Sequence, residues 1–232
     1  MCSSDLPRLA EMAACISGAA AGDGPLLAVR RQTAMPLSPV QHRLWLVDRL
    51  AAPDQRSGYN IAAALRLGGA LDATRLRDAV NAVVRRHEVL RTVYPQSDDG
   101  DPYAAIADTL ELALPLIDLT DDPQPQARVA GLLAEQRGRP FDLASGPLLR
   151  MALLRLGRGE HVLLLCVHHM VFDGWSESVF LRELAACYRG AEAGLPALPV
   201  QYADYAAWHA AKFAGAAGIA ATSFWRGYLA GA

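Results

Sequence analysis

The chain has 232 residues, of which 52% are hydrophobic, and its 22 basic and 24 acidic side chains leave a formal net charge of -2. A chain of this length and composition buries a sizeable core, and its nearly even charge offers no electrostatic footprint for nucleic acid or an anionic membrane. No apolar stretch approaches the roughly 18 residues that span a bilayer, and the N-terminus lacks the features of a signal peptide. These observations predict a globular, cytoplasmic protein without a nucleic-acid or membrane partner.

The N-terminal residues carry little pattern apart from one short amphipathic stretch. Leu6–Ile16 has the apolar spacing of a helix, and an Ala/Gly-rich segment follows it. Cys2–Leu6 resembles the translation of a sequencing-library adapter, which suggests that the first residues are not biological. We therefore expect a helix within residues 1–16 and a linker over residues 17–36.

The folded body is expected to begin at residue 37 with a helix that opens on a capping box. Ser38 is a favourable N-cap, Pro39 suits the first helical position, and Gln41 stands at the third. Further along, Asp72 is a favourable cap for a strongly amphipathic helix that ends near His87.

The remainder of the chain alternates predicted strands and helices. Two apolar runs, Leu148–Leu156 and His161–Val167, flank a Gly-Arg-Gly-Glu turn, which is typical of a β-hairpin. Ser176 is placed to cap the next helix, through Tyr188. The other predicted elements are strands at Asn60–Leu67, Leu90–Tyr94, Tyr103–Ile106 and Leu114–Ile117, and helices at Gln126–Arg137, Tyr202–Phe213 and Thr222–Leu229. This alternation predicts an α/β fold of layered sheet and helices.

The cysteines are scattered, without a CxxC spacing or a Cys/His cluster. Such a distribution favours free thiols in a reducing cytoplasm over disulfides or a zinc site. The residues concerned are Cys2, Cys15, Cys166 and Cys187.

The most informative feature is the string HHMVFDGWS at His168–Ser176, which follows the apolar run Val162–Val167. Histidine is the side chain whose unperturbed pKa lies closest to neutrality, so two histidines entering a polar turn suggest proton chemistry. Successive strand residues face opposite sides, and one of the pair is therefore structural. The plain alternative is that both are satisfied core or turn histidines, although Asp173 and Gly174 at fixed offsets weaken it.

Two other site chemistries are less well supported. A metal site needs a third ligand, and no HxD or HExxH spacing supplies one. A serine hydrolase needs a nucleophile of the GxSxG kind, which is absent, and Ser176 is better explained as a helix cap. What remains is a histidine acting as a general base or proton-positioning group between two external substrates.

Together with other stretches, this string carries a family resemblance. HHMVFDGWS resembles the His-His-x-x-x-Asp-Gly signature of condensation domains in non-ribosomal peptide synthetases, which belong to the chloramphenicol acetyltransferase-like superfamily. Three further stretches agree in order and spacing: LSPVQHRLWLV at Leu37–Val47, RHEVLRTVY at Arg86–Tyr94 and YADYAAW at Tyr202–Trp208. Small departures, such as Phe172 where serine is frequent, remove no polar group that the family uses in catalysis.

The resemblance implies an organisation as well as a fold. Residues 37–232 correspond to the N-terminal lobe of a two-lobed condensation domain, and PRLAEMAACI at Pro7–Ile16, within residues 1–16, resembles the last helix of a peptidyl carrier protein. The expected partners are upstream and downstream carrier domains, a C-terminal lobe and an adenylation domain of the same synthetase. No cofactor is expected on the chain itself, since the substrates arrive on carrier-bound phosphopantetheine. The channel of this family runs between two lobes, so the chain alone is expected to be inactive.

The resemblance also implies roles for individual residues in forming an amide between two carrier-bound thioesters. His169 is the candidate proton acceptor or positioning group, and Gly174 permits close backbone approach or an unusual turn geometry and offers its amide to an oxyanion. His168 is structural, and Asp173 holds the turn through an ion pair with an arginine, for which Arg91 is one candidate. We interpret Trp175 as a packing residue.

Two other functions remain open. The same fold hosts acyltransferases that make esters or amides from small thioesters. It also includes non-catalytic modules that only dock carriers or tailoring enzymes, although those tend to lose the histidine signature that is intact here.

Overall fold

The computed structural model describes residues 26–52 and 55–230, and the predicted helix at Leu6–Ile16 lies outside them. The helices are α1 (Pro39–Leu50), α2 (Ala73–Arg86), α3 (Pro125–Gly138), α4 (Gly174–Tyr188), α5 (Tyr202–Phe213) and α6 (Ala216–Tyr228). The strands are β1 (Asn60–Gly68), β2 (Thr92–Val93), β3 (Ala105–Ile106), β4 (Leu116–Asp118), β5 (Leu149–Gly157) and β6 (Glu160–His168). The predicted α/β class is confirmed.

The main sheet has the strand order β1-β6-β5-β4. β6 lies antiparallel to both β1 and β5, whereas β4 and β5 are parallel. The predicted hairpin is the β5–β6 pair, and Gly159 in its turn has a φ of 76°, a conformation that glycine adopts without steric cost. A second, two-stranded sheet pairs β2 with β3.

Helices cover both faces of the main sheet. Along β6, Leu163 and Leu165 belong to the larger core cluster, which includes residues of α2 and α4, whereas Val162 and Leu164 belong to a smaller cluster with α3 residues. Since successive side chains of a strand face opposite sides, burial on both faces explains why the sequence of β6 is continuously apolar. The sheet is thus the middle layer, and β6 ends where His168 begins the motif.

The start of α1 confirms the predicted capping box. The Ser38 hydroxyl accepts the amide of Gln41 at 3.2 Å, and the Gln41 side-chain oxygen accepts the amide of Ser38 at 3.1 Å. Ser38 is fully buried, and its hydroxyl also lies 2.9 Å from that of Tyr202. The cap therefore joins the beginning of α1 to α5.

Removing this cap has a predictable cost. We expect Ser38→Ala to lower the free energy of unfolding by about 1–2 kcal/mol, because the N-cap bond and the contact with Tyr202 are both lost. Urea unfolding followed by circular dichroism measures the change. Ser223→Ala, at an exposed position of α6, is the matched control and should stay within about 0.5 kcal/mol of wild type. Equal effects of the two variants would contradict this role of the cap.

Several predicted boundaries differ from the structure. The strand predicted at Leu90–Tyr94 is shortened by a 3-10 turn over Glu88–Arg91, and α6 begins six residues before the predicted Thr222. A linker was predicted over residues 17–36, but the end of this segment lies against the folded body. Met35 is buried, and its backbone amide and carbonyl both form hydrogen bonds with the backbone of Ala104. Cys166 and Cys187 are free thiols, and the other two cysteines lie outside the described residues.

Candidate active site

The motif forms a tight turn that connects the end of β6 to the start of α4. The amide of His168 still donates to Leu148, just before β5, at 3.0 Å, whereas the amide of His169 donates to the carbonyl of Tyr59, at 2.9 Å. The Val171 amide then closes the turn by donating to the His168 carbonyl at 3.1 Å. The buried strand therefore fixes the point at which the polar residues of the motif emerge.

His169 is exposed, and its ring is oriented by one hydrogen bond. Its Nδ1 lies 2.8 Å from the carbonyl oxygen of Phe172. Because a carbonyl can only accept, Nδ1 carries the proton in the neutral ring. The lone pair of the neutral imidazole is then on Nε2, which is the tautomer that a proton acceptor at Nε2 requires.

His168 has the opposite environment. Its side chain is 1% exposed, its Nδ1 accepts the amide of Met170 at 3.1 Å, and its ring lies against the rings of Tyr59 and Phe141. Burial, with a smaller contribution from the neighbouring His169, lowers the pKa of His168 to about 4. The ring is therefore neutral near pH 7. The expectation that the two adjacent histidines face opposite sides is confirmed.

The ring of His168 packs against Phe141, which in turn packs against Arg150. Phe141 contacts it edge-on, with 6.2 Å between ring centroids, and the guanidinium of Arg150 lies 3.7 Å from the centroid of Phe141. Arg150 in turn donates to the carbonyls of Gln136 and Arg139 at the C-terminal end of α3. A cation at this end of a helix is favourable, so α3 holds Arg150, and Arg150 holds the aromatic layer beneath His168.

Asp173, rather than Ser176, is the N-cap of α4, so the predicted cap was wrong by three residues. Its carboxylate accepts the amide of Ser176 at 2.8 Å and the Ser176 hydroxyl at 2.6 Å. These two hydrogen bonds hold the pKa of Asp173 below its usual value. Sequence reasoning failed here because aspartate and serine are both good caps, and either one fits the start of an apolar helix.

The expected ion pair between Asp173 and Arg91 is not formed. In the part of the chain that the structure describes, Arg91 donates to the carbonyl of Ala107 and lies 3.9 Å from the carboxylate of Glu88. Arg91 therefore braces the 3-10 turn after α2 and not the histidine turn. The partner of Asp173 is local because its position as a helix cap directs the carboxylate towards its own first turn.

Gly174 is the first residue of α4. It does not have a positive φ, so the expected unusual turn geometry is absent. A Cβ built at Gly174 meets no atom within 4 Å, and among the described residues nothing accepts its amide hydrogen. The amide is thus one of the free donors of a helix N-terminus.

Trp175 is 81% exposed, so its predicted role as a packing residue is wrong. It borders a small apolar pocket of about 120 Å³ between the end of α2 and the start of α4. Val83, Leu90 and Phe180 are among the lining residues. The sequence pattern missed this exposure because a tryptophan is highly buried on average.

The three other motif stretches are connected to each other by hydrogen bonds. Gln41 of the first stretch donates to the hydroxyl of Tyr94 in the second at 2.7 Å. Gln201, directly before the third stretch, donates to the carbonyl of Arg86 and accepts the amide of Glu88. Burial raises the pKa of Tyr94 well above its usual range, so this hydroxyl stays protonated.

A buried carboxylate ties the second stretch to α4. Glu183 is 3% exposed and accepts Arg86 at 3.1 Å, and it lies 2.6 Å from Nε2 of His87. Because Glu183 lies on the helix that begins at Gly174, these contacts fix the helix that carries the free amide. Neither partner was predicted to interact with this helix.

The described residues contain neither a metal cluster nor a spanning helix. No three side chains of the His, Cys, Asp and Glu types lie close enough together to hold a metal ion within residues 26–52 and 55–230. In the same ranges, no helix has the length and apolar character needed to cross a bilayer.

Comparison with known proteins identifies the class that this fold and site define. The family model for the condensation domain matches residues 31–232. The chain therefore belongs to the condensation domain family of non-ribosomal peptide synthetases, which has the chloramphenicol acetyltransferase-like fold, and the predicted family and fold are confirmed.

Among curated proteins, the chain is similar to phosphinothricin tripeptide synthetase PhsC of Streptomyces viridochromogenes, with 48% identity over 82% of this chain and 18% of PhsC. It is also similar to the isonitrile lipopeptide synthase of Mycobacterium tuberculosis, with 41% identity over 79% of this chain and 7% of that synthase. The chain thus spans a minor part of these relatives.

Two solved structures are also similar. One is the X-domain in its complex with OxyB from teicoplanin biosynthesis, with 35% identity, a TM-score of 0.78 and coverage of 91% of this chain and 46% of that one. The other is the first condensation domain of the calcium-dependent antibiotic synthetase with a substrate analogue, with 27% identity, a TM-score of 0.72 and coverage of 88% and 50%.

Proposed function

We propose that the chain is the N-terminal lobe of a condensation domain that forms an amide bond between two carrier-bound substrates. The amine of an aminoacyl thioester on a downstream carrier attacks the thioester carbonyl of an upstream aminoacyl or peptidyl group. The observation that carries the proposal is the hydrogen bond between Nδ1 of His169 and the carbonyl of Phe172, since it leaves Nε2 of an exposed ring as the proton acceptor.

The proton balance assigns a role to His169. An α-amine has a pKa of about 7.7–8.0 and is partly protonated at neutral pH, so a neighbouring imidazole can accept a proton or orient the neutral amine. The C–N bond forms first and gives a tetrahedral intermediate with an oxyanion. The C–S bond breaks when this intermediate collapses, and the proton accepted by Nε2 passes to the departing thiolate. The free amide of Gly174, at the N-terminus of α4, supports its assignment to the oxyanion of the tetrahedral intermediate.

The remaining predicted site residues hold these two groups in position. His168 stays neutral and buried beneath the turn, and Asp173 fixes the first turn of α4. Arg91 acts at a greater distance, by bracing the 3-10 turn whose neighbours Arg86 and His87 bind Glu183 of α4.

The partners follow from the reaction. Both substrates arrive as thioesters on the phosphopantetheine arms of carrier domains, and the chain itself binds no cofactor or metal ion in this proposal. We expect a C-terminal lobe and an adenylation domain in the same cytoplasmic synthetase, with a carrier ahead of the condensation domain. The 232 residues alone are expected to be inactive, since they span about half of the solved domains that they match.

Reconstitution tests the function. The domain with both lobes is incubated with a loaded donor carrier and a loaded acceptor carrier, and the acceptor is then analysed by intact-protein mass spectrometry. The expected result is a mass increase on the acceptor equal to the donor acyl group, which requires both carriers and the domain. Hydrolysis without transfer, or transfer to a small alcohol or amine in place of the carrier-bound amine, would contradict the proposal.

A second candidate function is a docking module without catalysis. The observation that favours it is the similarity to the X-domain, which was solved in complex with OxyB. In that case the His169→Ala variant would bind carriers or another enzyme with the affinity of the wild-type domain. The reconstitution separates the two candidates, because a docking module gives binding without any acyl transfer.

Gly174→Ala separates a structural role of this glycine from a role in substrate approach. The backbone conformation suits any residue and a Cβ meets no atom, so we expect the free energy of unfolding to stay within about 0.5 kcal/mol of wild type. The rate of acyl transfer should nevertheless fall roughly 10- to 100-fold, because the methyl group displaces the reacting carbonyl.

Gly131→Ala is the matched control. Gly131 lies on α3, is exposed, and also has open space at its Cβ position. It should gain stability by roughly 0.5–1 kcal/mol and keep the wild-type rate. If Gly174→Ala also keeps the wild-type rate in the carrier assay, substrate does not approach this backbone closely.

A further inference from the structure

The residues ahead of α1 are held against the folded body by specific contacts. The amide of Val29 donates to Oδ1 of Asp204, on α5, at 2.8 Å. Six residues later, Met35 pairs with Ala104 through both backbone groups, at 3.0 and 2.8 Å, and its side chain is 3% exposed. We call the segment from Val29 to Met35 the strap.

Arg31 makes the central contact of the strap. Its Nη1 donates to Oδ1 of Asp204 at 2.6 Å and its Nη2 to Oδ2 at 2.9 Å, which is a bidentate pair. The same side chain donates from Nε to Glu88 at 2.8 Å and from Nη1 to the carbonyl of Val29 at 2.7 Å. One guanidinium therefore joins the strap to α5 and to the 3-10 turn after α2.

The carboxylate that receives Arg31 has no access to water. The side chain of Asp204 is 0% exposed, and it also accepts the amide of Gln201 at 2.6 Å. A buried carboxylate is stable only when its oxygens are paired, so the fold at Asp204 requires a donor from the strap. Arginine suits this site better than lysine, because its planar fork matches both carboxylate oxygens.

The adjacent Arg30 provides a natural contrast. Arg30 is exposed, and within the described residues it makes no hydrogen bond or ion pair. Two consecutive arginines thus have different environments, and only the second is directed at the buried carboxylate. The difference shows that the contact of Arg31 is specific to its position and is not a general attraction between the strap and an acidic surface.

We propose that the Arg31–Asp204 pair is a latch that fixes the strap to α5 and so sets the point at which a domain attached ahead of the strap is anchored to this lobe. With the latch closed, that point lies near Val29. With the strap released, it lies at Ser38, nine residues later, and the reach of any preceding domain grows by roughly 30 Å at about 3.3–3.6 Å per residue. A shorter tether raises the effective concentration of a domain attached ahead of the strap, provided that it still spans the distance to its site.

The latch does not depend on the proposed amide-forming function, and it can be tested on the chain as it is. Hydrogen–deuterium exchange with mass spectrometry is measured for wild type, Arg31→Ala, Arg31→Lys and the control Arg30→Ala. Peptides that cover residues 29–35 report on the strap, and peptides from β6 report on the core. We expect strap exchange in Arg31→Ala to be at least about tenfold faster, with Arg31→Lys intermediate and Arg30→Ala like wild type.

Three outcomes would overturn the latch. Strap exchange in Arg31→Ala could match wild type, which means that other contacts hold the strap. Arg30→Ala could accelerate exchange as much as Arg31→Ala, which means that the contact is not specific. Strap peptides in Arg31→Ala could keep the same free energy of opening as β6 peptides, which means that the strap opens only when the whole fold unfolds. Asp204→Asn, measured in parallel, should reproduce the effect of Arg31→Ala on the strap, because it removes the charge that the guanidinium binds.

Discussion

His169→Ala is expected to lower the rate of acyl transfer in the complete condensation domain by about 10²- to 10⁴-fold, the range typical of general acid–base catalysis. The loss should fall on transfer and not on folding, because the ring is exposed and its only side-chain hydrogen bond within the described residues is to Phe172. Single-turnover transfer between loaded carriers, followed by mass spectrometry, measures the rate. Thermal unfolding checks that the variant is folded.

His161→Ala is the matched control, because His161 lies at the opposite end of the same strand, β6. It should transfer at the wild-type rate, whereas a similar loss in both variants would point to the strand rather than to the chemistry. A wild-type rate in His169→Ala would remove this residue from the catalytic role.

The pH dependence of the same variant separates two roles of His169. If the imidazole mainly removes the proton from a protonated amine, the deficit of His169→Ala should shrink above about pH 8, where the amine is already neutral. If it accepts the proton during bond formation or orients the amine, the deficit should persist at high pH.

Acid is expected to weaken the fold through Asp204. Hydrogen bonds from Arg31, opposed by burial, lower the pKa of this carboxyl to about 2, compared with about 3.9 in an unfolded chain. A carboxyl with a lowered pKa stabilises the fold above its unfolded pKa, and this contribution is lost as the pH falls through the folded value. The expected contribution is about 2–3 kcal/mol at neutral pH.

Urea unfolding of wild type and Asp204→Asn, repeated at several pH values, measures this contribution. Wild type should be the more stable protein at neutral pH, and the difference between the two should narrow by about 2 kcal/mol between pH 5 and pH 2. Asp108→Asn is the control, since Asp108 is exposed and makes no hydrogen bond within the described part of the chain. A constant difference across this pH range would show that Asp204 titrates as in the unfolded chain.

Local signals in the sequence predicted most of the elements that position the site. The capping box at Ser38, the cap at Asp72 and the turn of the β5–β6 hairpin depend on residues within a few positions of each other, and all three are confirmed. The short strands were harder, because β2 has two residues and follows a 3-10 turn that has no apolar period. The order β1-β6-β5-β4 does not follow from local pattern at all.

In the candidate site, too, local features were predictable from the sequence and long-range contacts were not. The side chains of His168 and His169 face opposite sides because the two residues are consecutive at the end of a strand, and this was predictable from the sequence. The support of His168 by Phe141 and Arg150, and the contact of Arg31 with Asp204, join residues that are far apart in the sequence. A single sequence carries no signal for such pairs, whereas paired substitutions among relatives at positions 31 and 204 would reveal them.

The pairing of β1 with β6 has a consequence for synthesis of the chain. Each residue of β1 pairs with a residue 92 to 108 positions later, from Gly68 with Glu160 to Asn60 with His168. At translation rates of about 5–20 residues per second, β1 leaves the ribosome roughly 5–20 s before its partner strand exists. During that interval its backbone donors and acceptors remain open to strands of other nascent chains. Crowded polysomes therefore expose β1 to aggregation, and β6, the last strand of the sheet to emerge, removes that risk by pairing with it.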